Sequence, residues 1–236
     1  MSGRFAIYWM PPSGSALWEL GVRILGRDAA TGETLPQVAP PGFDAARFHE
    51  LTRSSRLYGL HATLKPPFRL ASGTTEQALR ERLKDFASGL CPFTLPRLAL
   101  KPVGRFLALT PVAPSAELDL LARDCVERFD HFRAEPSQDE LDKRRAGGLT
   151  DRQEKLLSQW GYPYVMDQYR FHLTLTDSIA ETFERERCRQ GLETLLASLA
   201  QSELSQVEIR EICLFEQPGP GLPFIVSERY PFGPSH

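Results

Sequence analysis

The chain has 236 residues, of which 42% are hydrophobic and 25% are charged, and these values are ordinary for a globular protein. Its formal net charge of −2 argues against broad, non-specific binding of nucleic acid, although it is compatible with a small basic pocket for one phosphate. No apolar run approaches the ~20 residues of a transmembrane helix, and the N-terminal apolar run is too short for a secretory signal, so we expect a cytoplasmic protein with no membrane partner.

Strands and helices alternate in the first third of the chain. The side chains of residues 4–10 alternate between two faces in a pattern that predicts a strand. Ser15 and Asp44 are predicted to begin two helices, each followed by an apolar stripe. A second strand is predicted over residues 58–65, and Pro66-Pro67 is predicted to end it.

The rest of the chain continues this mixture of helices and strands. Capping boxes predict two helices, one beginning at Thr74 and one at Thr150. The remaining predicted elements are a hairpin over residues 93–112, a helix from Ser115 to Phe132, a strand at 169–176, a helix at 182–200 and strands at 207–215 and 224–226.

One strongly polar segment lies at residues 134–150 and contains Lys143, Arg144 and Arg145. One interpretation is a solvated helix and loop. The other is that one of these three cations folds over a functional site and contacts an anion. The sequence leaves both open.

One pattern occurs twice. The same order of residue types is found from Tyr58 to Leu64 and from Tyr169 to Leu175: an aromatic residue, any residue, an apolar residue, His, an apolar residue, Thr and Leu. The chain has only five histidines. Because side chains alternate along a strand, His61 and Thr63 are expected on one face, and so are His172 and Thr174. The opposite face of each strand is apolar and predicts a core contact.

Two histidines on facing strands suit acid–base chemistry. Imidazole titrates near neutral pH, so one ring can accept a proton while the other gives one up. Two threonine hydroxyls can donate hydrogen bonds to the non-bridging oxygens of a phosphate. His61, Thr63, His172 and Thr174 are therefore the predicted catalytic residues for a phosphodiester or cyclic phosphate, with no metal required.

The paired segments His61-Ala62-Thr63 and His172-Leu173-Thr174 resemble the His-x-Thr/Ser motifs of the 2H phosphoesterase superfamily. The resemblance implies an α+β fold: two pseudo-symmetric lobes of antiparallel β-sheet, with outer helices around a central cleft. It predicts a single bilobal domain over residues 1–236, with one motif in residues 58–68 and the other in residues 169–176.

The flanking residues narrow this resemblance to a bacterial branch found with phosphonate-degradation genes. The opening Arg4 to Trp9 also contributes to the likeness. The branch implies a substrate, because carbon–phosphorus bond cleavage yields a ribose 1,2-cyclic phosphate that carries a 5-phosphate. The expected activity is that of a cyclic phosphodiesterase acting on a small-molecule cyclic phosphate, with no cofactor.

Four further residues are candidates for substrate binding. Lys65 is expected on the face of His61 and Arg170 on the face of His172, where either could bind a second phosphate. Tyr8 could line the cleft, and Tyr58 could stack on a base or sugar. For each of the four, a purely structural role is the alternative.

The other histidines and the cysteines suggest no metal site. His49 and His131 are predicted to be structural or surface residues, and His236 is the chain terminus. The four cysteines form no CxxC pair and are predicted to be reduced, buried thiols.

Two other functions use the same cleft. One is an RNA 2′,3′-cyclic phosphate or RNA end-processing protein, which the absence of a basic excess disfavours. The other is a non-catalytic protein that binds a phosphate ligand. In each case we expect a monomer.

Overall fold

The computed structural model describes residues 3–233. The strands in this range are β1 (Arg4–Trp9), β2 (Ala62–Phe68), β3 (Phe93–Thr94), β4 (Leu98–Val103), β5 (Phe106–Pro111), β6 (Leu173–Thr174), β7 (Glu208–Ile209), β8 (Glu211–Gln217) and β9 (Ile225–Pro231). The helices are α1 (Ala16–Leu25), α2 (Ala45–Leu51), α3 (Glu76–Ser88), α4 (Ala116–Arg128), α5 (Gln138–Arg145), α6 (Asp151–Trp160), α7 (Thr182–Leu196) and α8 (Gln201–Ser205).

The strands form antiparallel sheets, which confirms the predicted α+β class. A four-stranded sheet has the order β2-β1-β8-β9, and a three-stranded sheet has the order β4-β5-β6. A third, two-stranded sheet pairs β3 with β7. One His-x-Thr segment lies at the edge strand of each of the two larger sheets, so the sheets carry the two motifs separately.

Local chemistry explains where most helices begin and end. Ser15 and Asp44 cap α1 and α2 as predicted, each accepting a backbone N–H with its side chain. The capping box of α6 is present at Thr150, and Gly161 ends that helix in the left-handed conformation. The cap of α3 is Thr75 rather than Thr74, because Thr74 instead bonds the carbonyl of Ala71.

Several strand predictions need correction. The strand predicted over 58–65 begins only at Ala62, and in the hairpin predicted over 93–112 only β4 and β5 pair with each other, because β3 pairs with β7. Pro66 and Pro67 do not end β2, which continues to Phe68. Proline is tolerated there because β2 is an edge strand and needs no N–H donor on its free side. The predicted strand 207–215 is split at Arg210, where the chain passes from the pairing of β7 with β3 to the pairing of β8 with β1.

The second His strand is also shorter than expected, since only Leu173 and Thr174 pair with β5. Beyond Thr174 the ladder loses its register. The Leu107 carbonyl accepts from the N–H groups of both Leu175 (2.9 Å) and Thr176 (3.3 Å). The Thr176 hydroxyl in turn accepts from the Leu107 N–H at 3.0 Å. A side chain thus replaces the backbone partner that a longer strand would need.

A continuous hydrophobic core holds the sheets against the helices. It contains residues from both halves of the sequence, among them Trp9, Leu64, Phe129, Leu173 and Leu214. A smaller cluster on the other face of the four-stranded sheet includes Tyr8 and Phe215, so that face lies towards the site described below.

The four cysteines are free, as predicted, but Cys91 is exposed while the other three are buried. None of the helices in residues 3–233 combines the length and apolar character needed to cross a lipid bilayer.

Candidate active site

A cavity of about 320 Å³ brings the two predicted motifs together. His61 and Thr63 line it from the end and edge of β2, and His172 and Thr174 line it from β6. Tyr8 and Tyr58 also belong to its wall, as the sequence predicts for substrate-binding positions. Six of the eight candidate residues therefore face one space.

His61 is held between two aromatic rings. The ring of Tyr8 lies 4.2 Å from the imidazole centroid, and that of Tyr58 lies 5.5 Å away and nearly parallel. Tyr8 reaches this position because it pairs with Thr63 across β1 and β2, and paired residues share a face. Phe224 stacks on Tyr58 at 4.9 Å and supports the second ring.

The two histidines have the same hydrogen-bonding arrangement. His61 Nδ1 lies 3.0 Å from the carbonyl oxygen of Gly59, and His172 Nδ1 lies 2.7 Å from that of Arg170. In each motif the acceptor is thus the carbonyl two residues before the histidine. A carbonyl can only accept, so each Nδ1 carries the proton and each Nε2 is left as an unprotonated acceptor.

The Nε2 atoms are the ring nitrogens that a ligand in the cavity could contact. Thr63 Oγ1 lies 3.5 Å from His61 Nε2, so the imidazole and the hydroxyl are close enough to contact one small ligand. On the second wall, Phe106 packs against His172 with ring centroids 5.4 Å apart. Ala108, the partner of Thr174 across β5 and β6, is small and leaves that hydroxyl uncovered on its strand.

Burial favours the neutral form of both histidines. Burial lowers the pKa of His61 from 6.5 to about 4, against the opposing effect of the bond to Gly59. Charge repulsion from His172 lowers the pKa of His61 slightly further. Burial also lowers the pKa of His172, while the bond to the Arg170 carbonyl raises it.

Lys65 does not lie where strand alternation predicts. Tyr8 pairs with Thr63, but the next residue back, Ile7, pairs with Lys65, so β2 has one extra residue at a bulge. The bulge moves Lys65 to the core face, where its side chain is 1% exposed. Its Nζ donates to the Val126 carbonyl at 3.1 Å and to Asp130 at 3.3 Å. The prediction that Lys65 shares the face of His61 is therefore wrong.

Arg170 also lies outside the cavity. Its side chain is exposed, and it contributes its backbone carbonyl to His172 rather than its guanidinium. Residues 169–172 do not belong to a strand, so the alternation that would have turned Arg170 towards the site does not operate there.

Two other arginines supply the positive charge. Arg4, at the start of β1, and Arg144, near the end of α5, both line the cavity. Arg4 donates to Gln217 Oε1 at 2.8 Å, and the Arg144 guanidinium lies 4.5 Å from the ring centroid of Tyr162. Segment 134–150 forms a solvated helix, since α5 has no buried residue, and it also brings Arg144 to the cavity; contact with an anion stays a prediction. Arg145 instead pairs with Glu154.

One carboxylate lies among the described lining residues, and it is already engaged. Asp177 accepts the backbone N–H groups of Ser54 and Ser55 at 2.7 and 2.8 Å. These two hydrogen bonds join the loop before the first motif to the loop after the second. They hold the two walls together on one side of the cavity.

The remaining histidines lie elsewhere. His49 is exposed and contacts Gln37 and Arg56, and His131 is exposed beside Phe132. His236 lies outside the described residues. Within residues 3–233, no three His, Cys, Asp or Glu side chains come together in a group that could hold a metal ion.

Fold and site together define an α+β protein in which two His-x-Thr segments face one cavity. Residues 63–225 match the family described as "Protein of unknown function (DUF1045)", and the chain belongs to that family. The matched range contains Thr63, His172 and Thr174 and begins two residues after His61.

Two curated relatives carry the name "Ribose 1,5-bisphosphate phosphokinase PhnN". The protein of Janthinobacterium sp. (strain Marseille) is 37% identical over 231 residues, which are 97% of this chain and 51% of that protein. The protein of Laribacter hongkongensis (strain HLHK9) is 36% identical over 178 residues, which are 75% of this chain and 41% of that protein. The chain thus spans about half the length of the curated relatives it matches.

One solved structure, described as "Crystal structure of phosphoesterase", is similar over 98% of this chain and 99% of its own. Its sequence identity to this chain is 14%, and the TM-score is 0.41.

Proposed function

We propose that this protein is a 2H phosphoesterase that hydrolyses a small cyclic phosphate without a metal ion. One observation carries the proposal. Two His-x-Thr segments face one cavity, and in both the Nδ1–H is bonded to the carbonyl two residues earlier, so that both Nε2 atoms are available. Such a pair can take a proton from water and give one to a leaving oxygen.

Geometry and charge suggest which histidine plays which part. His61 is enclosed by Tyr8 and Tyr58, and its pKa is lowered to about 4, so it is suited to begin neutral as the general base. His172 is less enclosed. A phosphate bound beside it would favour the imidazolium, because an adjacent negative charge raises the pKa of a histidine. We assign His172 as the general acid.

The reaction then balances in one displacement. His61 Nε2 accepts a proton as the water oxygen forms a bond to phosphorus. One ring P–O bond breaks, and its electron pair stays on the sugar oxygen, which receives the proton of His172. Thr63, Thr174, Arg4 and Arg144 would stabilise the charge on the non-bridging oxygens, since all four line the cavity.

We further propose a ribose 1,2-cyclic phosphate bearing a 5-phosphate as the substrate. The name of the two curated relatives gives ribose 1,5-bisphosphate as the compound on which those proteins act. Breaking the bond between phosphorus and the 2-oxygen of the cyclic ester yields that compound. The product would then be consumed by a phosphorylation, which is the reaction class printed in the relatives' name.

A matched set of histidine variants tests the proposal. His61→Asn and His172→Asn should each lower kcat by about 10² or more, as expected for an essential proton-transfer group. His131→Asn is the control, because His131 is exposed and lies outside the cavity. All assays contain a chelator. Turnover within threefold of wild type in either cavity variant would show that the paired-histidine mechanism is wrong.

A further inference from the structure

A second and larger cavity adjoins the histidine cavity. Its volume is about 650 Å³, and it shares Arg4, Pro67 and Arg144 with the first. Because the same three residues line both, the two cavities are direct neighbours. Segment 134–161 forms much of the outer wall, including Pro136, Leu141 and Gly161.

The second cavity is strongly cationic in a chain whose net charge is −2. Its described lining residues include five cations, Arg4, Arg69, Arg133, Lys143 and Arg144, and one carboxylate, Glu140. Two of the cations are compensated: Arg69 donates to Glu140 at 2.6 and 2.9 Å, and Arg133 donates to Asp130 at 2.8 and 3.0 Å. Among residues 3–233, Arg4, Lys143 and Arg144 make no ion pair.

The arginines of this cavity are held in place before any ligand arrives. The backbone of Arg69 and Arg133 is fixed by pairing between the two segments that contain them. The Ala134 N–H donates to the Arg69 carbonyl at 2.8 Å, and Leu70 and Arg133 form an antiparallel bridge. Gly161, with φ of 72°, leaves the space that the Arg133 guanidinium occupies. A Cβ at position 161 would lie 3.0 Å from Arg133 Nη1. Arg69 and Arg133, each paired with a carboxylate, thus form a fixed part of the wall, and Arg4, Lys143 and Arg144 supply the unpaired positive charge that a phosphate would meet.

We propose that this cavity binds a second phosphate of the substrate whose cyclic phosphate lies between His61 and His172. The inference rests on the proposed function for the identity of the first group, but the second site can be tested without turnover. Lys143 and Arg144 contact the second phosphate, and Arg4 and Arg144 lie between the two anionic groups. Substrates with only the cyclic phosphate lose this contact and bind more weakly.

Binding of ribose 5-phosphate tests the site independently of catalysis. Isothermal titration calorimetry should show binding that Lys143→Ala weakens about tenfold, as expected for the loss of one charge-assisted contact. Lys155→Ala is the matched control, because Lys155 is exposed on the adjacent helix α6 and lines neither cavity. His61→Asn should leave the affinity unchanged. Ribose without phosphate should not bind.

Two results would overturn the inference. One is the absence of ribose 5-phosphate binding by the wild-type protein. The other is binding that His61→Asn abolishes and Lys143→Ala leaves intact, since the phosphate would then occupy the histidine cavity. Failure of the proposed function has a different signature, namely no hydrolysis of any cyclic phosphate.

Kinetics give a second readout when turnover is present. With the doubly phosphorylated cyclic ester, Lys143→Ala should raise KM about tenfold and leave kcat unchanged, because the contact is the same in the ground and transition states. With ribose 1,2-cyclic phosphate, the variant and the wild type should have equal kcat/KM. Equal effects on both substrates would contradict the assignment.

Discussion

Gly59 orients the first histidine of the site, because its carbonyl oxygen accepts a hydrogen bond from His61 Nδ1 at 3.0 Å. Its φ is 69°, in the left-handed region that side chains other than glycine rarely adopt. A Cβ added there would lie 2.7 Å from the Cβ of Ala29, which is buried. Gly59→Ala is therefore opposed twice, by backbone conformation and by packing.

The magnitude follows from those two effects. The left-handed conformation costs an alanine about 1–2 kcal/mol. Overpacking against a buried neighbour costs about 1–3 kcal/mol more. We expect Gly59→Ala to lower the free energy of unfolding by about 2–5 kcal/mol and to lower kcat, because the backbone that orients His61 must shift.

A double-mutant cycle with Ala29→Gly separates the two effects. Removing the Ala29 methyl relieves the packing conflict and leaves the backbone cost, so the two substitutions should couple by about 1–3 kcal/mol in the favourable direction. Urea unfolding of the four proteins measures this coupling. Strict additivity would show that the Ala29 methyl does not oppose a side chain at position 59, and a Gly59→Ala variant within about 0.5 kcal/mol of wild type would show that neither effect operates.

Three other predictions concern pH, the second motif and the buried lysine. The pKa of His61 is about 4, so its ring becomes protonated only as the pH falls through that value. The acid limb of the kcat/KM profile should therefore lie well below pH 6.5. An acid limb between pH 6 and 7 would contradict the assignment of His61 as the base. Thr174→Val should lower kcat/KM about 10–10²-fold with an unchanged Tm, measured by steady-state kinetics and calorimetry, since it removes one donor to a charged oxygen; a large loss of Tm would indicate a structural role instead. Asp130→Asn should lower the free energy of unfolding by about 3 kcal/mol, because it leaves the Lys65 cation buried without its carboxylate. Adding Lys65→Met should restore part of this loss. If it restores nothing, Lys65 is not the group that the first substitution leaves unpaired.

The two motifs could be recognised from the sequence because their signal is local. A histidine and a threonine two residues apart lie on the same face of any extended segment, whether or not a long ladder forms around them. That condition holds at Thr63 within β2 and at Thr174 in the two-residue β6. The apolar alternation behind them also predicted core contacts, as Leu64 and Leu173 show.

The burial of Lys65 could not be predicted from strand alternation, because the bulge depends on how β2 pairs with β1. Nothing in residues 62–68 indicates that the position between Thr63 and Lys65 has no partner in β1. The prolines are a similar case. Pro66-Pro67 is a sound stop signal for an inner strand, and it failed here because the position of β2 at the sheet edge is a property of the whole topology.

The cations of the site come from segments that sequence spacing does not relate to the motifs. Arg144 belongs to a helix with no buried residue and has no periodic pattern that points to the cavity. Arg4 lies 57 positions before His61, and the one signal for it is strand alternation, which places it on the same face of β1 as Tyr8. The polar composition of residues 134–150 allowed a cation over the site as one of two interpretations. The tertiary structure places Arg144 of this solvated helix at the cavity and pairs Arg145 with Glu154 instead.

The proposed reaction, in which the paired histidines open a cyclic phosphate by attack of water on phosphorus, can be followed by phosphorus NMR. The sample is ribose 1,2-cyclic phosphate 5-phosphate incubated with the purified protein and excess chelator. We expect the cyclic signal to be replaced by that of a phosphate monoester on C1, giving ribose 1,5-bisphosphate. The His61→Asn/His172→Asn double variant should leave the cyclic signal intact. An unchanged cyclic signal with the wild-type protein, or equal conversion by the double variant, would contradict the proposed reaction.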